Sequence, residues 1–250
     1  MTGSLEGQGA MVTGGAAGIG RAIAVALARE GCHVCAVDRA PDEQIGAVVD
    51  QIAADGGSAF AQRADVSDEA QVMSLFESAK RRLPALDVLV NNAGILIEKS
   101  LLDTTGEDFD RVIGVNLKGA FLVGREALRI MVGRGSGRVI NIASELAYLG
   151  REKCSVYCAS KGGILSMTRA WAREFAPSIL VNAIAPGPTD TAMLGPDSTS
   201  PQTRAKESQN PLGRIGRPEE IAAVAVFLAG PGATFMTGQC ISPNGGAVMF

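Results

Sequence analysis

The stretch Ala10-Met-Val-Thr-Gly-Gly-Ala-Ala-Gly-Ile-Gly20 passes from an apolar run into a glycine-rich turn and then into a run with helical periodicity. Gly14, Gly18 and Gly20 permit a tight turn, close approach of backbone to a pyrophosphate, and close seating of a helix on a sheet. A glycine-rich turn alone is weak evidence, because glycine also serves turns for steric reasons. Its place between a strand and a helix is what points to dinucleotide binding.

Working outward, short apolar runs recur at 10–13, 33–38, 59–64, 88–91, 138–142, 180–184 and 239–242. Helical patterns fill the gaps at 18–30, 42–55, 68–82, 107–132, 155–175 and 218–229. This alternation predicts an α/β fold, a doubly wound parallel sheet with helices on both faces. Strands covered on both faces read as continuous apolar runs, as in Val88-Leu-Val90. With 250 residues and 46% hydrophobic content, the chain has ample core for a single domain, 1–250, and no internal linker argues for two.

Lys and Arg total 23 against 26 Asp and Glu, a net charge of -3 that gives no electrostatic footprint for nucleic acid or an anionic membrane. No signal-peptide pattern stands at 1–9 and no apolar run reaches membrane-spanning length, so a cytoplasmic location is expected. The five cysteines form an odd set and read as reduced thiols. Cys32 and Cys35 resemble a metal or redox pair, but residues three apart in a strand point to opposite faces. Cys154 and Cys158 read either as active-site wall or as small buried residues. His33 is the only histidine, which excludes a multi-histidine metal site and leaves no metal expected.

The second strand ends in Asp38, about twenty residues after the turn, where a carboxylate can accept from the adenosine ribose hydroxyls. That favours NAD over NADP, since like charges about 4 Å apart repel by about 4 kcal/mol at an effective dielectric of about 20. Arg39 is the counterweight: it reads as a phosphate partner, a solvated residue or a plane stacked on adenine. Asp65 and Val66 follow the third strand and Asn91-Asn-Ala-Gly94 ends the fourth, all at the ligand-bearing edge. Asn91 and Asn92 either contact the cofactor or satisfy loop backbone.

Tyr157 and Lys161 stand at i and i+4 in Ser155-Val-Tyr-Cys-Ala-Ser-Lys161, so they share a helix face, and Ser144 precedes the tyrosine by thirteen residues. A cation near the phenol lowers its pKa from about 10 and suits it to act as acid and base. Ser144 can hydrogen-bond a reacting oxygen. As a set, Thr13-Gly-x-x-x-Gly-Ile-Gly20, Asp65, Asn91-Asn-Ala-Gly94, Asn116 in Asn-Leu-Lys-Gly119, Ser144, Tyr157-x-x-x-Lys161 and Pro186-Gly187 resemble the short-chain dehydrogenase/reductase family over nearly the whole chain.

The resemblance implies a Rossmann-type sheet of seven strands in the order 3-2-1-4-5-6-7 and a catalytic tetrad of Asn116, Ser144, Tyr157 and Lys161. It also implies that Lys161 holds a nicotinamide-ribose hydroxyl and that Asn116 orders a water linking the lysine to solvent. The expected cofactor site is Gly14, Ala17, Gly18, Ile19, Asp38, Arg39, Asp65, Val66, Asn92, Ala93 and Gly94, with Tyr157, Lys161, Pro186, Gly187 and Thr189. Ser144, Leu146 and Tyr157 are expected at the substrate, within a cleft that Ile95, Leu96, Cys154, Met193 and Leu194 make apolar and Glu145, Arg151 and Glu152 make polar. The Pro-, Gly-, Ser- and Thr-rich segment 186–216 is the expected substrate loop.

The expected reaction is interconversion of a secondary alcohol, such as a polyol or hydroxysteroid, and its ketone with NAD. The alternatives are an NADPH-dependent 3-oxoacyl-carrier-protein reductase, for which no basic patch is evident, and a non-catalytic dinucleotide sensor. Family likeness further implies a homotetramer, with a dimer as alternative. The tail 245–250 is expected either to cover a neighbouring subunit or to fray.

Overall fold

The computed structural model describes residues 3–195 and 200–249. Strands β1 (Gly9–Thr13), β2 (His33–Asp38), β3 (Ser58–Arg63), β4 (Val88–Asn91), β5 (Gly137–Ile142), β6 (Ile179–Ile184) and β7 (Cys240–Ile241) form one parallel sheet. Its order is β3-β2-β1-β4-β5-β6-β7, so the fold is the single Rossmann-type α/β domain that the sequence predicts.

Alternation along each strand divides the core in two. Met11, Cys35, Val37, Leu89, Val139 and Val181 face one layer, built by α3 (Glu69–Arg82), α5 (Ala120–Arg134) and α7 (Ser155–Phe175). Ala10, Val12, Val34, Val90, Ile140 and Ile184 face the other, built by α1 (Gly18–Arg29), α2 (Asp42–Ala54) and α9 (Pro218–Ala229). Each fully buried Val, Leu or Ile contributes roughly 1.5–3 kcal/mol, so both faces of the central strands are strongly specified. Cys32 belongs to one layer and Cys35 to the other, which rules out joint coordination. Gly31, at φ +94°, ends the first helix in the left-handed region that favours glycine.

The helix expected without a break over 107–132 is in fact three pieces. α4 (Gly106–Ile113) starts from a Thr105 capping box, a π-helical segment (Gly114–Gly119) follows, and α5 continues from it. The wider winding carries Asn116, and Gly119 within it lies where a Cβ would come 2.7 Å from Val66.

A short helix, α6 (Leu146–Leu149), follows β5. The segment 186–216 is more structured than a plain loop. Thr189 and Gly216 pair across its base, and α8 (Pro201–Glu207) rises within it, capped by Ser200. Residues 196–199 of that segment lie outside the described residues. The tail folds back on its own chain: the Gly245 carbonyl accepts from Leu212 and the Val248 carbonyl from Asn244, while Phe250 lies outside the described residues. Among the described residues no helix is long and apolar enough to cross a membrane.

Candidate active site

The strand order reverses between β1 and β4, and the carboxyl ends of β1, β2, β4, β5 and β6 open onto one cleft there. One part, about 260 Å³, is lined by Gly14, Ala17, Gly18, Ile19, Asp38, Arg39, Asp65, Val66, Asn92, Ala93 and Gly94, together with Ala64, Ile95, Val115 and Ala192. The adjoining part, about 130 Å³, is lined by Ser144, Leu146, Tyr157, Lys161, Pro186, Gly187 and Thr189, together with Leu96, Glu145, Arg151, Leu194 and Glu207. The two share Ile19, Asn92, Gly94, Thr191 and Met193.

Local bonding explains the shape of the first part. The Gly15 amide donates to the Val37 carbonyl at 2.9 Å and the Ala16 amide to Asp38 Oδ2 at 3.0 Å, which ties the glycine turn to the end of β2. Asp38 Oδ1 accepts from the Ala40 amide at 3.0 Å. Each oxygen of that carboxylate keeps room for another donor. Gly14 sits at φ +65°, and a Cβ there would stand 2.7 Å from Asn92 Nδ2. Ala17 caps α1 without a side-chain hydrogen bond, so the first amides of the helix remain available to an anion. A ribose-side carboxylate, an uncapped helix start and a turn that excludes side chains fit a dinucleotide.

The two asparagines of Asn91-Asn92 divide. Asn92 Nδ2 donates to the Thr13 and Gly14 carbonyls at 2.9 and 3.1 Å, bracing the turn while lining the cleft. Asn91 points into the core, where it donates to the Ala120 carbonyl and to Asn141 Oδ1, and Asn141 in turn donates to Thr168. Thr13 opens the glycine motif but was not expected at the site, and its hydroxyl oxygen accepts from the Asn92 and Ala93 amides at 3.0 and 3.1 Å.

In the second part Tyr157 is buried and hydrogen-bonded with Ser144. Lys161 is buried beside it, donating from Nζ to the Ile142 carbonyl at 2.7 Å and lying 5.7 Å from the Tyr157 ring centre. Asn116 is clamped by the Ile95 backbone, accepting from its amide at 2.8 Å and donating to its carbonyl at 3.0 Å. It also donates to Ser160 Oγ at 3.1 Å, and Ser160 donates to the Tyr157 carbonyl at 2.7 Å. A Cβ on Gly94 would stand 3.4 Å from Asn116 Oδ1 and 3.5 Å from Lys161 Nζ, ordinary contact distances that place both polar groups beside this glycine. All four members of the expected tetrad thus meet at one place.

Burial dominates the electrostatics of the pair in the chain alone. Burial pushes the Tyr157 phenol up to about 12, opposed by its hydrogen bond with Ser144, while burial brings the Lys161 ammonium down to about 8. The ammonium stands over the ring and donates to the Ile142 carbonyl, and desolvation is the larger influence on the phenol. Glu145 is pushed up to about 7, first by burial and then by Glu207, against the pull of Arg151.

The substrate wall also differs in detail. Leu96, Leu146, Met193, Leu194, Glu145 and Arg151 line it as expected. Ile95 lies on the dinucleotide side, and Glu152 is exposed. Cys154 does not line the cleft: it is buried against Glu98, which accepts its thiol hydrogen at 3.7 Å. Glu207 was missed because it reaches the site from α8, fifty-six residues after its partner Arg151.

A profile of the family described as Enoyl-(Acyl carrier protein) reductase matches residues 14–248. A short-chain dehydrogenase/reductase of Armillaria gallica is 42% identical, covering 97% of each chain. The chain belongs to the short-chain dehydrogenase/reductase family. A 3-oxoacyl-[acyl-carrier-protein] reductase of Thermotoga maritima is 38% identical over 98% of this chain and 99% of its own. A 3-oxoacyl (acyl-carrier-protein) reductase of Agrobacterium tumefaciens, solved with NADP bound, superposes with a TM-score of 0.91 at 35% identity, covering 97% of this chain and 95% of that one. As a short-chain dehydrogenase/reductase the protein is an oxidoreductase of a family that uses NAD(P), and the glycine turn and cleft described above are the places such a cofactor fits.

Proposed function

We propose that the protein interconverts a secondary alcohol and its ketone with NAD. The observation that carries this reading is the Asp38 carboxylate, braced by the glycine turn in the same cleft that leads to Ser144 and Tyr157. Gly14, Ala17, Gly18, Ile19, Asp38, Arg39, Asp65, Val66, Asn92, Ala93 and Gly94 hold the dinucleotide, joined by Tyr157, Lys161, Pro186, Gly187 and Thr189 toward the reacting end. When bound, the nicotinamide supplies the hydride acceptor or donor.

Ser144 hydrogen-bonds the reacting oxygen and steadies the charge that grows on it. Tyr157 takes the hydroxyl proton as the alcohol is oxidised and returns it in reduction. A phenol held up near 12 is a poor base at neutral pH, so positive charge must act on it before it gives up its own proton. Lys161 is the chain's own cation beside it and also serves to hold a ribose hydroxyl. Asn116, fixed by Ile95 and Ser160, orders the water that relays protons to solvent. Thr189, Met193, Leu194 and Glu207 bring the segment 186–216 to the substrate, and exposed Phe121 and Val132 on α5 support assembly into a homotetramer, which light scattering would measure.

A second reading, an NADPH-dependent 3-oxoacyl-carrier-protein reductase, is favoured by the Thermotoga and Agrobacterium relatives and by Arg39 beside Asp38 in the cleft. Absorbance of the reduced cofactor separates the two, in a panel of secondary alcohols with NAD run against acetoacetyl thioesters with NADPH. Secondary alcohols with NAD should be the faster pair. Faster thioester reduction with NADPH replaces the first reading by the second.

A further inference from the structure

The substrate part of the cleft holds three ionisable side chains that the proposed chemistry does not use: Glu145, Arg151 and Glu207. Two of them satisfy each other. Arg151 Nη1 donates to Glu207 Oε2 at 3.2 Å and Nη2 donates to Oε1, a bidentate pair between the loop before α7 and α8. Glu145 is left over.

Glu145 is only 6% exposed, and its Oε2 is fully buried with no hydrogen-bond partner among the described residues. Its backbone is fixed, the amide donating to the Pro186 carbonyl at 3.0 Å and the carbonyl accepting from Tyr148 at 2.9 Å. Gly187 lies beside the carboxyl, where a Cβ would come 3.0 Å from Oε2. Oε2 is walled in beside Gly187, so a bound ligand meets the carboxyl where it lines the cleft, and a donor there offsets part of a desolvation penalty of about 1–3 kcal/mol. Glu145 directly follows Ser144, so this acceptor stands next in the chain to the hydroxyl that meets Tyr157.

We propose that Glu145 accepts a hydrogen bond from a second hydroxyl of the substrate, and that the enzyme therefore selects alcohols with another hydroxyl one or two carbons from the reacting one. The inference rests on the alcohol-oxidising reading above. A neutral hydroxyl suits the wall better than an ammonium, because it can pair with the Glu145 carboxyl in either protonation state, whereas an ammonium needs the ionised form that burial disfavours. No hydrogen bond joins Arg151 to Glu145 among the described residues, so the carboxyl is open to a donor on the ligand.

The test uses matched secondary alcohols with NAD: 2-butanol, 2,3-butanediol and 3-amino-2-butanol, then 2-pentanol and 2,4-pentanediol. In the wild type, kcat/KM for at least one diol should exceed that of its mono-ol by about tenfold or more, the scale of a hydrogen bond to a charged group. Glu145→Gln should narrow the ratio and Glu145→Ala should bring it close to one, chiefly through KM. Equal kcat/KM for diols and mono-ols, the same ratio in wild type and both variants, or preference for the amino alcohol overturns the proposal. Turnover of mono-ols in those cases leaves the oxidoreductase reading standing. Absence of NADH formation from every alcohol overturns that reading and this inference together. The wild-type comparison, with no variant to fold, is sufficient by itself to reject the proposal.

Discussion

Lys161 Nζ lies 5.7 Å from the centre of the Tyr157 ring and donates to the Ile142 carbonyl at 2.7 Å, so the i, i+4 spacing sets the cation over the ring. The phenol keeps its proton tightly in the protein alone, and its hydroxyl bears on turnover more than on fold.

Tyr157→Phe should keep the dinucleotide affinity measured by calorimetry and lower turnover by roughly 10²–10⁴, the usual scale for losing a general acid or base. Near-normal turnover in the folded variant would reject the proton-transfer role.

Asp38→Ala removes the carboxylate that faces the ribose side of the cleft and accepts from the Ala16 and Ala40 amides. The preference for NAD over NADP in kcat/KM should fall by at least about tenfold, within the roughly 4 kcal/mol that a like charge at about 4 Å can impose. Unchanged selectivity would remove Asp38 from the account.

Glu145 offers a pH test of stability. Its folded carboxyl, near 7, holds its proton more tightly than the ordinary 4.5 of an unfolded chain. Its contribution is therefore full below 4.5 and is lost as pH rises through 7, with Glu207 and Arg151 the charged groups facing it. Glu145→Gln cannot ionise, so it should gain up to ~3 kcal/mol near pH 8 and almost nothing near pH 4. Scanning calorimetry at the two pH values checks this, and an equal shift at both would show that ionisation is not the cause.

Ser160→Ala takes away the oxygen that receives Asn116 Nδ2 and the donor that holds the Tyr157 carbonyl. The loss should be about 1 kcal/mol in stability. A several-fold drop in kcat with little change in KM would mark Ser160 as a positioning residue. An unchanged kcat would mean that Ile95 alone holds Asn116.

The strands and most helices were legible because burial on both sheet faces leaves continuous apolar runs, and because Gly31 and Pro218 punctuate the helices where their backbones demand it. Tyr157 and Lys161 were legible from their spacing on one helix face and Ser144 from its place after a strand, whereas Asn116, in the π-helical segment, was reached only through the family resemblance. Asn91 and Asn92 were ambiguous as a dipeptide, and only the turn of the chain at the end of β4 sends one to the core and the other to the cleft. The Glu207 contribution was hidden because α8 lies inside a segment whose composition reads as loop, although Ser200-Pro201 is a cap-and-first-turn pair. Desolvation of Tyr157 and Lys161 was invisible for a different reason: spacing reports which groups are neighbours, not how much water they have lost.

The π-helical winding at Gly114–Gly119 makes chain length itself a design variable. Removing one residue there would not trim a loop. It would close the wide turn to ordinary α winding and leave the later positions of the helix near their present phase, so Gly124 would stay against the Trp171 ring that a Cβ at that glycine would strike at 2.3 Å. A single deletion there should therefore spare the packing of α5 and remove only the widened winding that carries Asn116, costing turnover more than stability.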